Sequence, residues 1–329
     1  MIGRIEGIGP VLNIFLAVAI SSVTFMAAAL TPIVGPFVQL IVPLPVFYYS
    51  HRLGRLKGIA VFFLSVALVS AICNLYGFEV NFVMFAALGL FGFVLSETVK
   101  KNLSIERTVF HAILTVVIMA ILFLVYLLKT TDINILTLTE AYIQKGVEES
   151  ISVYAQLGMS AEQLNNLRDK APHVVMIIIG LLPALMVVTG GSFVLVNIFL
   201  ARELCKRTGL TFPDFGDLTR WKIPDQLIWF VIAAGISILL PWDHVRLIGL
   251  NFSILFMYVY LLQGLAISGY FFQKKRVHYA VRVVIYFLIF IQNFLLLVVV
   301  AIGVADVWMD FRKLNPKIAD SVKTSSLEK

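Results

Sequence analysis

Residues 31–58 have the sequence TPIVGPFVQLIVPLPVFYYSHRLGRLKG, an apolar stretch that is unusually rich in proline. It contains four of the eleven prolines of the chain, and each proline removes a backbone donor and fixes φ. Non-helical backbone inside a bilayer must be covered by protein or line a water-filled cavity, because an unpaired amide in hydrocarbon is costly. We therefore expect a broken span buried in a helix bundle, with Gln39 between the breaks. The prolines that define the breaks are Pro32, Pro36, Pro43 and Pro45.

An interrupted span of this kind has two interpretations. Discontinuous helices are typical of transporters, where they form the substrate site. Prolines are also commoner in membrane helices than in soluble ones, so the same stretch equally fits a kink that only aids helix packing.

The composition of the whole chain indicates a membrane protein. Hydrophobic residues make up 60% of it and charged residues only 14%, and its mean hydropathy is +0.94. A soluble core cannot absorb this much apolar surface, so we expect an all-α, polytopic transmembrane helix bundle. The net charge of +7 then indicates basic loops that face the cytoplasm and the anionic lipid bilayer, with no aromatic-interleaved basic patch for nucleic acid. Cys73 and Cys205 are expected near opposite faces, which excludes a disulfide between them.

The apolar segments predict about eight or nine spans. About five lie in an N-terminal membrane half, residues 1–128, and about four in a C-terminal half, residues 174–311. A polar insertion, residues 129–173, separates the halves, and a polar tail, residues 312–329, follows them. Besides the broken one, the expected spans are 11–30, 59–75, 82–96, 109–128, 174–200, 227–240, 247–272 and 283–304.

The polar insertion has the pattern of two amphipathic helices on the outer, extracytoplasmic face. Gly158 is a stop signal for the first helix, and Ser160 with Gln163 forms a capping box for the second. The second helix is expected to end before Pro172. The span that follows is expected to be interrupted at Pro183 and at Gly190-Gly191, a pattern that suits either a break or the close approach of another helix.

Basic residues are concentrated in the N-terminal arm and in the loops after the second, fourth, sixth and eighth spans. By the positive-inside rule, this predicts a cytoplasmic N terminus. Nine spans would, however, place the basic tail outside. Either the tail violates the rule, or one apolar segment is re-entrant, the proline-rich second and the final one being the candidates.

No pattern in the chain predicts catalysis. There is no nucleophile elbow, no phosphate-binding loop and no metal-binding spacing, so we expect no enzyme activity and no cofactor, and any energy would come from another protein. The five histidines are scattered over different loops and spans: His51, His111, His173, His244 and His278.

Polar residues in or near spans are the candidates for substrate binding, because burying them in lipid is costly unless they are paired or functional. The alternative for each of them is an interhelical hydrogen bond. Asp306 and Asp310 are expected to pair with Arg312 and Lys313 at helical spacing. The candidate binding residues are Gln39, Asn74, Trp242, Asp243, His244, Asn251, Gln292 and Asn293.

A stripe of small residues lies on one face of the first span and would let another helix approach closely. It can contact a partner, or it can pack within the same chain. Its members are Ala17, Ser21, Thr24 and Ala28.

Four stretches carry a family resemblance: Pro43-Leu44-Pro45 with residues 48–58, the helical insertion before Pro183, the loop at 221–224, and the ending GVADVWMDFRK at 303–313. Together they resemble the YybS-like family of bacterial membrane proteins, over nearly the whole chain. That family, whose function is unsettled, is similar in its membrane core to the substrate-binding S components of energy-coupling factor vitamin transporters. The resemblance implies a coupling subunit and an ATPase module as partners, with the small-residue stripe as the contact. S components usually have six spans, so this chain is larger.

Two functional hypotheses follow. The first is a small-molecule-binding or transport subunit that separate subunits energise, which predicts a closed pocket between the broken span and the outer polar residues. The second is a non-transporting scaffold or accessory protein of the cell envelope. It predicts a packed core, with polar residues satisfied from helix to helix.

Overall fold

The computed structural model describes residues 10–31, 34–77, 82–130 and 135–314, and in these residues all regular structure is helical. The expected all-α class is confirmed. A 3-10 turn at Leu218–Arg220 precedes α9. The helices are α1 (Pro10–Leu30), α2 (Gly35–Gln39), α3 (Pro43–Leu53), α4 (Arg55–Tyr76), α5 (Phe82–Val99), α6 (Ile105–Thr130), α7 (Ile135–Gln156), α8 (Ala161–Thr208), α9 (Leu227–Leu239), α10 (Asp243–Lys274), α11 (Tyr279–Ile291) and α12 (Asn293–Met309).

Six of the described helices are long and apolar enough to cross a bilayer: α1, α4, α5, α6, α8 and α10. The bent pair of α11 and α12 makes up to seven, and α9 is a shorter apolar helix. The protein is therefore a multi-pass membrane protein. The expected count of eight or nine spans is not confirmed.

The helices form two compact units, and α8 runs from one into the other. Unit 1 comprises Met1–Ile135 and Thr189–Phe215, and unit 2 comprises Leu136–Val188 and Gly216–Lys329. In unit 1, α3 packs against α1, α4 and α5, so it lies inside the bundle. In unit 2, α10 packs against α9 and α12.

The proline-rich stretch is broken as expected. Helices α2 and α3 are separated by a turn at residues 40–42, and Gln39 is the last residue of α2. Pro43 and Pro45 lie in the first turn of α3, where a backbone N–H has no intrahelical acceptor, so they remove no helical hydrogen bond. Pro36 likewise lies at the start of α2, and Pro32 falls outside the described residues.

Helix α8 contradicts two expectations. It continues for 48 residues through Pro172, where an end was expected, and through Pro183 and Gly190-Gly191, where breaks were expected. Prolines and glycines weaken a helix but do not end it when neighbouring groups supply the lost packing and hydrogen bonds. The N-terminal end of α8 is as expected, since Ser160 Oγ accepts from the N–H of Gln163 and Gln163 Oε1 accepts from the N–H of Ser160.

The last apolar segment is not the single straight span that was expected over 283–304. It bends by 103° between α11 and α12, at Gln292. The alternative, a re-entrant segment, agrees with the contacts in unit 2. Gly269, near the end of α10, lies beside Thr219 and Tyr286, and Arg312, just after α12, donates to the carbonyl of Thr219. The segment therefore begins and ends at the same end of unit 2.

Candidate functional site

A sharp reversal of the chain after α12 creates the most buried charged cluster among the described residues. The helix ends at Met309, and Asp310 adopts the left-handed conformation with φ of 37°. The Asp310 N–H still donates to the Asp306 carbonyl, and the carboxylate of Asp310 accepts from the N–H of Leu314. This reversal carries the side chain of Arg312 back into unit 2.

Arg312 and Asp306 form an ion pair with an Nη2–Oδ2 distance of 2.8 Å, and both side chains are 0% exposed. The pairing of these two residues was expected, but at helical spacing. It forms instead across the turn at Asp310. The carboxylate also accepts from the N–H of Phe311 at 2.9 Å and from Nε2 of Gln263 at 3.1 Å. A buried charge is tolerated only when it is paired and hydrogen-bonded in this way.

The remaining contacts of this cluster are with the backbone of a loop before α9. Arg312 Nη1 donates to the carbonyls of Thr219 and Trp221, both at 2.8 Å. Gln263 Oε1 accepts from the N–H of Ile223 at 3.1 Å. We call residues 217–224 the anchored loop, because three backbone groups in it are held by buried side chains.

Close approach of α10 and α12 makes the cluster possible. A Cβ atom added at Gly264 would overlap the carbonyl of Val299, and one added at Gly303 would overlap the carbonyl of Tyr260. Only glycine permits this contact between the two backbones. Gln263, next to Gly264, can therefore reach the Gly303 carbonyl, to which its Nε2 donates at 3.2 Å.

The outer surface of the anchored loop is polar. Asp217 accepts hydrogen bonds from the backbone N–H and the hydroxyl of Thr219, and these bonds hold the pKa of the Asp217 carboxyl below its ordinary value. Lys222 and Asp225 form an ion pair at 2.9 Å. Arg220 is exposed. The loop is thus rigid inside and presents polar side chains outside.

An open apolar recess of about 310 Å³ adjoins the cluster. Its lining includes the aromatic side chain of Phe311, next to Arg312. The other lining residues are Ile267, Ser268, Phe271, Phe272 and Ile302.

Asn251, one of the candidate binding residues, is engaged between α10 and α8. Its Nδ2 donates to the Gly180 carbonyl at 2.8 Å, and its Oδ1 accepts from the N–H of Ala184 at 3.0 Å. In a regular helix the N–H of Ala184 would donate to the carbonyl of Gly180. Here the side-chain amide of Asn251 replaces that hydrogen bond, next to the position where Pro183 disturbs α8. Nδ2 also donates to the Leu247 carbonyl at 2.9 Å. The amide of Asn251 is therefore used in helix packing.

The other candidate binding residues are distributed over both units. In unit 1, Gln39 is half-buried and Asn74 is exposed. In unit 2, Gln292 and Asn293 are exposed at the bend. Trp242, Asp243 and His244 are exposed where α10 begins, and Asp243 lies 3.6 Å from Arg246.

The small-residue stripe of α1 is covered by the chain itself. Ala17 is buried with Tyr49 and Val61, Ser21 is 0% exposed, and Ala28 packs in a second buried cluster of unit 1. Thr24 donates to the carbonyl of Ile20 in its own helix. Ala17, Ser21 and Ala28 are therefore packed within the chain, and Thr24 is half-buried.

Gln263 is the member of the cluster that the sequence alone did not single out. Gln263 is a single polar residue in a long apolar segment. A polar residue within a membrane span indicates a function or a buried partner, and this criterion would have identified Gln263. Two stretches that carried the family resemblance, at 221–224 and 303–313, meet at this side chain.

Comparison with known proteins agrees with that resemblance. The model of a family described as "Predicted membrane protein (DUF2232)" matches residues 19–307. The chain belongs to this family. It is also 20% identical over 298 residues to the uncharacterized protein YybS of Bacillus subtilis (strain 168), an alignment that covers 90% of this chain and 94% of YybS. The predicted likeness to YybS-like proteins is thus supported. No solved structure matches the chain.

Proposed function

We propose that this DUF2232 protein is a non-catalytic accessory or scaffold protein of the bacterial cytoplasmic membrane, with a cytoplasmic N terminus. In this proposal the anchored loop is the docking surface for a partner protein. The observation that carries it is the buried Asp306–Arg312 pair. The Nη1 atom of Arg312, which is not used in the ion pair, donates to the loop carbonyls of Thr219 and Trp221.

The energetics of the pair support this role. A buried ion pair is weak evidence for stability, because desolvation offsets most of the Coulomb attraction. Nη1 of Arg312 donates to two backbone carbonyls of the anchored loop. Because these contacts are to the backbone, they fix the shape of the loop independently of the loop's side chains. A loop held in one shape loses less conformational entropy when it binds, which favours recognition by a partner.

The hydrogen bonds of two polar residues in α10 also favour a scaffold. Asn251 and Gln263, the polar side chains of α10 considered above, are both satisfied by neighbouring helices or by the anchored loop. This is the arrangement that the scaffold hypothesis predicts.

A second candidate is a small-molecule-binding subunit that resembles an S component and is energised by a coupling subunit and an ATPase module. The observation that favours it is the pair of discontinuous segments, one in each unit. Gln39 lies at the break in unit 1, and Gln292 and Asn293 lie at the bend in unit 2. Breaks with polar residues in both halves are typical of transporters.

One experiment separates the two candidates. A photo-crosslinking residue is placed at Arg220 in the anchored loop and, as a control, at the exposed Lys145 of α7, and crosslinks are identified in living cells. The same protein, purified gently from its membranes, is analysed by native mass spectrometry for bound metabolites. We expect a discrete partner protein to be crosslinked at position 220 and not at position 145. The yield of this crosslink should be lower in Arg312→Lys than in the matched exposed variant Lys313→Gln.

The opposite results would overturn the scaffold proposal. Equal crosslinking at both positions, or no effect of Arg312→Lys, would remove the anchored loop as a docking surface. A single bound metabolite that is lost in Gln39→Ala or Gln292→Ala would establish the binding-subunit candidate instead.

A further inference from the structure

The end of α8 in unit 1 forms a cationic recess that the proposed function does not use. It has a volume of about 260 Å³. Two basic side chains, Arg202 and Lys206, line it from one face of the helix, since residues four apart are neighbours. The remaining lining residues are Leu210, Phe212, Pro213 and Asp214.

The local fold explains how the recess is built. Gly209 has φ of +71°, and the N–H of Leu210 donates to the carbonyl of Cys205, which is the hydrogen bond of a Schellman cap. The chain therefore folds back beside the last turns of α8. His51 bonds through Nε2 to the carbonyl of Thr211 at 2.8 Å, which attaches the returning segment to α3. The recess is thus held from two sides.

The two cations of the recess differ from the other basic residues nearby. Arg207 is bound by Glu203 at 2.6 Å, and Lys100 by Glu97 at 2.8 Å. In the part of unit 1 that the structure describes, neither Arg202 nor Lys206 has a hydrogen bond or an ion pair, and Lys206 interacts with Glu203 only through its charge. Their charge is available to a ligand.

The position of the recess along α8, at the end of its apolar stretch, indicates a lipid ligand. The apolar stretch that ends at Leu200 is about 27 residues or 40 Å long, close to the thickness of a bilayer with its headgroup regions. Phe199 and Leu200 are exposed apolar residues, and Arg202 lies two positions after Leu200. Acyl chains can therefore lie along α8 while a headgroup reaches the recess.

We propose that this recess binds the headgroup of one anionic phospholipid of the phosphatidylglycerol type. The guanidinium of Arg202 matches a phosphate in a bidentate manner, and the ammonium of Lys206 adds a point charge. Asp214 also lines the recess, and its carboxylate can accept hydrogen bonds from the glycerol hydroxyls of the headgroup. Basic recesses at the membrane surface are known to recognise lipids in this way.

The test uses the purified full chain in detergent and native mass spectrometry. Phosphatidylglycerol is added, with phosphatidylcholine of the same acyl chains as the control lipid and inorganic phosphate as a competitor. The variant is Arg202→Gln with Lys206→Gln. Its matched control is Arg55→Gln with Lys57→Gln, which removes the same charge from exposed residues of unit 1.

We expect one phosphatidylglycerol molecule to bind in preference to phosphatidylcholine and to resist inorganic phosphate. Each basic residue near an anionic headgroup contributes a factor of about five, so the double variant should bind about 25-fold more weakly. The control pair should bind within about twofold of the unchanged chain. If the double variant does not fold, the single variants Arg202→Gln and Lys206→Gln should each weaken binding about fivefold.

Three results would overturn the proposal. One is equal binding of the two lipids. Another is an equal loss in both charge-removal pairs, which would show a diffuse electrostatic effect. The last is displacement of the lipid by inorganic phosphate, which would show a site for a small soluble anion.

Discussion

Helix α8 is continuous and the α11–α12 segment is bent, which is the opposite of what their proline and glycine contents indicate. Helix α8 contains Pro172, Pro183 and a Gly-Gly pair and is continuous, whereas α11–α12 contains no proline, has its glycine far from the bend, and turns by 103° at Gln292. The difference shows that backbone groups released by a proline can be satisfied from a neighbouring helix. It also shows that an apolar segment without proline can bend sharply.

The largest effect is expected from the buried pair that holds the end of α12. Asp306→Ala or Arg312→Ala leaves an unpaired buried charge, so each should lower the free energy of unfolding by about 3–5 kcal/mol. Unfolding in mixed micelles with increasing SDS measures it. The exposed control Lys313→Ala should change it by less than about 0.5 kcal/mol. The double variant Asp306→Leu with Arg312→Met, which removes both charges, should lower the free energy of unfolding less than either single variant. An equal decrease would contradict this account of the cluster.

The next effect concerns the continuity of α8. Asn251→Leu leaves the Gly180 carbonyl and the Ala184 N–H without their partner, and should cost about 1–3 kcal/mol in the same unfolding measurement. In Pro183→Ala the helix can form its regular hydrogen bonds, so the cost of Asn251→Leu should fall in that background. Strict additivity of the two changes would show that Asn251 does not compensate for the proline. Asn74→Leu, at an exposed position, is the control.

A smaller effect is expected at the N-terminal end of α8. Ser160→Ala removes the acceptor for the N–H of Gln163, and loss of an N-cap side chain costs about 1 kcal/mol. Hydrogen exchange measured by mass spectrometry should show faster exchange in residues 161–165 and no change around Pro183. Faster exchange along the whole of α8 would mean that its continuity depends on this cap.

The smallest effect is expected at the bend itself. Gln292 makes no side-chain cap for α12, so Gln292→Ala with Asn293→Ala should keep the bend and change stability by less than about 0.5 kcal/mol. Spin labels at the exposed Val284 and Val298 should keep their separation. A separation that increases toward about 21 Å, the length of 14 residues of straight helix, would show that these two residues cause the bend.

Local signals with a single physical cause were predicted correctly. The capping box of Ser160 and Gln163 needs only two side chains three residues apart, and the prolines of residues 31–58 predicted an interruption because each one removes a backbone donor. The buried cluster could not be predicted in the same way. Gln263 lies 40 residues from both Ile223 and Gly303, and no spacing in the sequence indicates that these backbones meet.

The sequence by itself determined that the protein is an all-helical membrane protein, because apolar composition and segment length depend on each residue independently. It also determined where several helices begin, since caps and turns are local. Only the tertiary structure decided which apolar segments are continuous and which are bent. For α8, continuity depends on a distant amide, that of Asn251, which bonds the backbone groups left unpaired near Pro183.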